Sequence, residues 1–307
     1  MSTPKVKSHF ARRDLWMTRA GEWVLYALAW SLRRLTQPFG LWTVSAMLAP
    51  VGATAMMLIP SVRRRALENL AFVWPEKSHE ERRAIAWEAA GQFTRLCAEY
   101  AGLDKLVHGA EIRAQGLDHL AACKASGRGM ILVSAHYGNW EAARVAAKRA
   151  GCEIGIIYRA FNNRYLDRYT MDLIPVAGNP VLQKGRQGMR QLVGHVTGGG
   201  AVLILVDQRN SGAPWMDFLG KPAETVTAAA DLAQRTGAAL IPTRAVRNVS
   251  ERRFEVSFEP PVTAETPKKM MRQVNDRISS WIEEHPGQWF WFHRRWRSTL
   301  RSRPKEE

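Results

Sequence analysis

The sequence predicts an α/β protein, with a mainly parallel or mixed central sheet flanked by helices and an apolar, membrane-associating helical segment near the N-terminus. Three observations carry this. After Gly127, short apolar runs alternate with helical stretches, MILVS, NWEAARVAAKRAG, EIGIIY, RQGMRQLVGHV and AVLILVD, which is the rhythm of βαβ units. Further on, AALIPTRAV and RFEVSFE flank a polar RNVSER turn, so a hairpin or a pair of adjacent strands is expected and the sheet becomes mixed. Before both, residues 23–32 and 41–59 are apolar.

The opening MSTPKVKSHFARRDLW is polar and basic for too long to begin a cleaved signal peptide. Residues 23–32 (WVLYALAWSL) are too short to cross a bilayer, which takes roughly 20 helical residues, whereas the uncharged residues 41–59 approach that length but contain Pro50 and Gly52. Arg33 and Arg34 on one side and Arg63, Arg64 and Arg65 on the other bracket the apolar stretch where headgroups sit. A monotopic anchor fits this pattern; a pair of core helices with solvated basic ends fits it too. Residues 79–103 carry apolar positions at helical spacing and form an amphipathic helix without visible catalytic groups. From residue 268 a helix (KKMMRQVNDRISSWIEE) runs to a break at Pro286-Gly287 and the cluster QWFWFHRRWRSTLRSR. The expected organisation is a basic, apolar membrane-anchoring segment over 1–60 and one catalytic domain over 61–307.

With 46% hydrophobic and 23% charged residues, the 307-residue chain has the balance of a folded protein. The 44 Lys and Arg against 28 Asp and Glu give a net charge of +16, which implies an anionic partner without choosing among nucleic acid, an acidic membrane and an acidic carrier protein. Three scattered cysteines, Cys97, Cys123 and Cys152, with no CxxC pair, argue against disulfide or zinc frameworks.

The sharpest local signal is SAHYGNWE. A strand ending at Ser134 delivers His136 to the crevice outside the carboxyl ends of the sheet, and Glu141 opens the next helix. A carboxylate bonded to one imidazole nitrogen fixes the tautomer and leaves the other nitrogen to take a proton from an attacking hydroxyl. No serine or cysteine nucleophile accompanies the pair, so the substrate hydroxyl is expected to attack an acyl carbonyl directly, without an acyl-enzyme. Backbone N–H groups of the Gly138-Asn139 turn are candidate oxyanion donors. The scheme requires neither metal nor cofactor.

Read together, RRRALENLAFVWPE (63–76), GRGMILVSAHYGNWE (127–141), YRAFNN (158–163), VLILVDQ (202–208), FLGKPAETVTAAADLA (218–233) and QWFWFHRRW (288–296) resemble the lipid A biosynthesis acyltransferases, lauroyl and myristoyl transferases within the wider glycerolipid acyltransferase superfamily. The resemblance implies a bacterial inner-membrane enzyme with its catalytic domain on the cytoplasmic side, transferring an acyl chain from acyl carrier protein to a lipid A precursor among anionic membrane lipids. It implies His136 as general base oriented by Glu141, and Arg159, Asn139, Asp207, Gln208 and Lys221 as substrate-binding residues. Arg159 has an equal claim as a surface ion-pair residue. Arg209 departs from the family pattern, which often has a second acid near that point, and bears on headgroup preference. The aromatic and cationic FWFHRRW suits a membrane interface, or else a packed C-terminal element.

Two alternatives stand beside this reading. One keeps the chemistry and changes the acceptor to a phospholipid or ornithine lipid. The other, a nucleic-acid-binding protein, rests on charge alone, lacks any recognisable binding motif and gives the apolar segments no purpose; no nucleic-acid partner is expected.

Overall fold

The computed structural model describes residues 12–302; the remaining ends of the two expected units, 1–11 and 303–307, lie outside the described residues. Five helices come first: α1 (Arg12–Phe39), α2 (Leu41–Leu58), α3 (Pro60–Val73), α4 (His79–Ala101) and α5 (Leu103–Gly109). The sheet region follows as β1 (Glu111–Gln115), α6 (Leu117–Ala125), β2 (Met130–Ser134), α7 (Trp140–Arg149), β3 (Ile154–Tyr158), α8 (Arg164–Ala177), β4 (Val181–Gln183), α9 (Arg186–Thr197) and β5 (Ala201–Leu205). After a small antiparallel hairpin of β6 (Trp215–Phe218) and β7 (Lys221–Glu224) come α10 (Ala228–Thr236), β8 (Ala239–Asn248), β9 (Arg253–Phe258), α11 (Pro267–Glu284) and α12 (Arg297–Ser302).

The main sheet has seven strands in the order β1-β9-β8-β2-β5-β3-β4. Every adjacent pair is parallel except β8 and β9, the predicted hairpin, so the expected mixed sheet is observed. β2 is buried at every position, which is why MILVS reads as a continuous apolar run; strands covered by helices on both faces need no polar alternation. Two apolar clusters, one containing Ile131, Val133 and the tryptophans of 289–296, the other Leu132, Ile154 and Phe254, lie on the two faces of the sheet.

α2 is long and apolar enough to cross a membrane, and 33% of it is buried. It packs along α4 through small residues: a Cβ at Gly52 would sit 2.1 Å from the Thr94 hydroxyl, so the helices approach where a side chain is missing. The opposite face of α2 leaves Met47, Val51 and Leu58 exposed, and α1 leaves Trp23, Leu25, Leu28 and Phe39 exposed. α1 is tied to α8, whose N-cap residue Asn163 donates to the Glu22 carbonyl at 2.8 Å. α4 begins with a capping box between Ser78 and Glu81.

The C-terminal cluster folds inward. Trp289, Trp291, Phe292 and Trp296 are buried, so the packed-element reading of FWFHRRW replaces the interfacial one. Three indoles, each contributing roughly 150–250 Å² of buried surface, are better stabilised in the core than at a water boundary. All three cysteines are free.

Candidate active site

The site is assembled by strand register. β2 and β5 run parallel with Ser134 opposite Leu205, and the Val206 amide donates to the Ser134 carbonyl at 2.9 Å. His136 and Asp207, each two positions past those strand ends, therefore meet side by side. His136 Nδ1 lies 2.8 Å from Asp207 Oδ1, and the His136 backbone amide donates to Asp207 Oδ2 at 3.0 Å. The Trp289 indole N–H donates to the same Oδ2 at 2.8 Å.

Asp207 is fully buried while the His136 side chain keeps 22% of its surface accessible. Burial alone pushes the Asp207 carboxyl upward, but the His136 charge and its hydrogen bonds, aided by His293, outweigh that and hold it well below the usual carboxylate range. Three donors converging on an ionised carboxylate place the imidazole proton on Nδ1 and leave the lone pair on Nε2, the nitrogen nearer Gln208. Gln208 Nε2 stands 3.3 Å from that nitrogen and 3.3 Å from His293 Nε2. The His293 ring packs edge-on against His136, centroids 4.6 Å apart. Burial, with the neighbouring His136 and Arg65, pushes His293 down to about 4 despite Asp207, so it is neutral near pH 7.

The expected partner of His136 requires correction. Glu141 is buried, accepts from the Tyr100 hydroxyl at 2.6 Å and pairs with Arg144, one helical turn on. Among the described residues no hydrogen bond joins Glu141 to His136. Arg144 also donates to the carbonyls of Ile154 and Gly178, so Glu141 anchors α7 to the sheet. The Tyr100 hydroxyl in turn accepts from Trp140 Nε1 at 2.9 Å, and the Trp140 ring meets the His136 ring edge-on at 5.4 Å.

The oxyanion expectation is also overturned. The Gly138 amide donates to the Gln288 carbonyl at 2.9 Å and the Asn139 amide to the Ala245 carbonyl at 3.1 Å, so both donors are taken. Gly138 has φ +55°, and a Cβ there would stand 1.8 Å from the Ala245 oxygen, which accounts for the glycine of the motif. Asn139 is structural: its Oδ1 caps α7 at the Glu141 amide and its Nδ2 donates to Glu99 at 2.8 Å, itself paired with buried Arg247.

Arg159 is exposed just past β3, at the same carboxyl end of the parallel strands as His136 and Asp207. Lys221, in contrast, places its ammonium 5.7 Å over the Phe72 ring, and among the described residues it makes no hydrogen bond to His136 or Asp207. Sequence reasoning missed Trp289, His293, Glu99 and Tyr100 as site residues. The one signal for them was their polar atoms on elements otherwise needed as apolar packing. Among the described residues, no three His, Cys, Asp or Glu side chains gather as a metal would need.

Residues 7–298 match the model of the bacterial lipid A biosynthesis acyltransferase family. The chain belongs to that family. Similar proteins include a lipid A biosynthesis palmitoleoyltransferase of Escherichia coli K12, 25% identical over 264 residues covering 81% of this chain and 83% of that one. A lipid A biosynthesis acyltransferase of Haemophilus influenzae is 22% identical over 240 residues, 75% and 74% of the two chains. A phosphatidylinositol mannoside acyltransferase of Mycobacterium tuberculosis H37Rv is 25% identical over 255 residues, 78% of each. This lipid A acyltransferase family member thus belongs among acyl-transfer enzymes.

Proposed function

We propose that this acyltransferase moves a fatty acyl chain from the thioester of acyl carrier protein to a hydroxyl of a lipid A precursor, with His136 as general base and Asp207 as the carboxylate that orients it. Nε2 takes the proton as the acceptor oxygen attacks the thioester carbon. The tetrahedral intermediate then expels the carrier thiolate, and the proton on Nε2 passes to that sulfur, so no acyl-enzyme forms. Gln208, an amide beside Nε2, is the nearest donor for the thioester oxygen. Positioned general-base catalysis contributes about 10²–10⁴-fold, the remainder coming from holding both substrates together.

The observation that carries this reading is the half-open imidazole bonded through Nδ1 to a buried carboxylate at the carboxyl ends of parallel strands. Residues 1–60 serve as the membrane-associating segment and 61–307 as the catalytic domain, at the cytoplasmic face of the inner membrane. The exposed apolar faces of α1 and α2, and the cleft where Arg63, Arg64, His79 and Arg82 gather, support contact with anionic lipids. The net charge of +16 suits both that surface and an acidic carrier. The test is His136→Ala, assayed with acyl carrier thioesters and a defined lipid A precursor: transfer disappears while folding and lipid association persist. Transfer above a few per cent in the folded variant refutes the role.

The mycobacterial relative favours a second acceptor, a phosphatidylinositol-type glycolipid, with the same chemistry. Mass spectra of the lipids in cells with and without the gene separate the two by which lipid loses an acyl chain.

A further inference from the structure

A second imidazole stands beside the base, and the proton transfers set out above give it no task. His293 is held from several sides. Asn69 on α3 donates through Nδ2 to the carbonyls of Trp291, at 2.8 Å, and His293, at 2.7 Å. The Phe290 amide donates to the His136 carbonyl at 2.9 Å, which ties the same segment to the catalytic loop. The His293 ring meets the His136 and Phe290 rings edge-on, centroids 4.6 Å away in each case, and Phe290 in turn packs on Phe93 at 4.8 Å. Packing of this kind would be served as well by a phenyl ring, yet a histidine stands there within the aromatic run WFWFHRRW. Burial keeps it neutral near pH 7, so one of its nitrogens carries a hydrogen and the other is bare.

Gln208 decides which is which. Its Nε2 lies 3.3 Å from Nε2 of His136 and 3.3 Å from Nε2 of His293. Asp207 fixes the His136 hydrogen on Nδ1, so His136 Nε2 is an acceptor and needs a donor opposite it. The Gln208 NH₂ supplies one hydrogen there and has a second for His293, whose Nε2 must then be the bare nitrogen. The reverse orientation of the amide would set its carbonyl oxygen against the His136 lone pair. Both contacts are at the long end of the hydrogen-bonding range, so either can be given up. Gln208 is exposed, and its bond to His136 is the one that an acceptor hydroxyl must displace on reaching Nε2. The bond to His293 survives that step.

We propose that His293 is a positioning residue: its bare Nε2 tethers the Gln208 amide by one hydrogen, so that the other turns from His136 to the thioester oxygen when the acceptor hydroxyl arrives. The inference rests on the acyl-transfer reading above, with Gln208 as the donor, and adds the residue that aims it. No proton leaves the amide or His293 in this role. Without the tether, the displaced amide would swing into solvent and meet the developing oxyanion only part of the time.

The test uses the full-length chain in detergent micelles, with a labelled acyl carrier thioester and a lipid acceptor. His293→Phe keeps the ring and deletes the acceptor nitrogen; His293→Gln puts an amide oxygen near the position of Nε2; Gln208→Met keeps the length and removes the donor. For Gln208→Met kcat falls about a hundredfold. For His293→Phe it falls about tenfold while both KM values stay within about twofold, and His293→Gln recovers most of the loss. The double variant Gln208→Met/His293→Phe is no slower than Gln208→Met, because His293 has nothing left to aim. A residue that merely packs gives the opposite pattern: losses that multiply in the double variant and no recovery by Gln. Either of those, or an undiminished kcat in His293→Phe or in Gln208→Met, overturns the proposal. Transfer that persists in His136→Ala is instead the failure of the acyl-transfer reading. The tether is then read without activity or substitution, by neutron diffraction from the wild type: a hydrogen on His293 Nδ1, with Gln208 N–H groups facing both imidazoles, supports it, and a hydrogen on His293 Nε2 overturns it.

Discussion

Asp207→Asn is the most informative single change. The carboxylate receives three hydrogen bonds, two on Oδ2 from the His136 amide and the Trp289 indole and one on Oδ1 from His136 Nδ1. Neither donor on Oδ2 can reverse its role, so the asparagine oxygen must take that position and its NH₂ must face Nδ1. The imidazole then shifts its proton to Nε2, the atom that has to accept one. Volume and packing are preserved, while the base is lost in its reactive tautomer together with the anion that stabilises the imidazolium. The expected fall in kcat is about 10²–10⁴-fold, or roughly 3–5 kcal/mol of transition-state stabilisation. The assay is transfer of a labelled acyl group from carrier thioester to lipid acceptor, with circular dichroism melting as the control for folding. An Asp207→Asn enzyme that melts like wild type and keeps kcat within threefold would sink the reasoning, all the more if Glu141→Gln at unchanged Tm lost a thousandfold.

Other outcomes follow from the same geometry. Glu141→Gln strips the buried Arg144 guanidinium of its carboxylate, at a cost of roughly 3–5 kcal/mol, and appears chiefly as a lowered Tm in a denaturation series. His293 is held near 4 when folded against 6.5 as its ordinary value, so the unfolded chain takes up the proton first and this residue's contribution is present above about 6.5 and lost as pH falls towards 4. Between pH 7 and 4.5 that loss is about 2 kcal/mol. His293→Phe therefore flattens acid destabilisation in urea titrations, and an unchanged slope contradicts the assignment. Met47 and Val51 are 66% and 63% exposed on the face of α2 proposed to meet lipid; replacing both with Glu is expected to lower binding to anionic vesicles at least tenfold in a flotation assay.

The βαβ alternation was legible because buried parallel strands spell themselves as continuous apolar runs, and the β8–β9 hairpin because a polar turn divides two such runs. His136 was legible for a related reason, as a polar residue left at the end of MILVS. Its partner was not. β3 lies between β2 and β5 in the chain yet beyond β5 in the sheet, so nothing local reveals that Asp207 is opposite His136. Glu141 looked like the partner through nearness in sequence, but as the second residue of α7 it projects into the core, where Arg144 waits one turn on. The Gly138-Asn139 amides looked free because their acceptors, Gln288 and Ala245, come from far along the chain. The WFHRRW composition fits an interface and a core equally well; what decides is whether other aromatic rings surround it, and Phe218 and Phe72 do.

The Trp289 bond to Asp207 bears on how the enzyme is made. During synthesis the sheet, His136 and Asp207 all emerge ahead of the indole that fastens the carboxylate and of the aromatic knot around it. A nascent chain halted before residue 289 holds both members of the pair without their clamp.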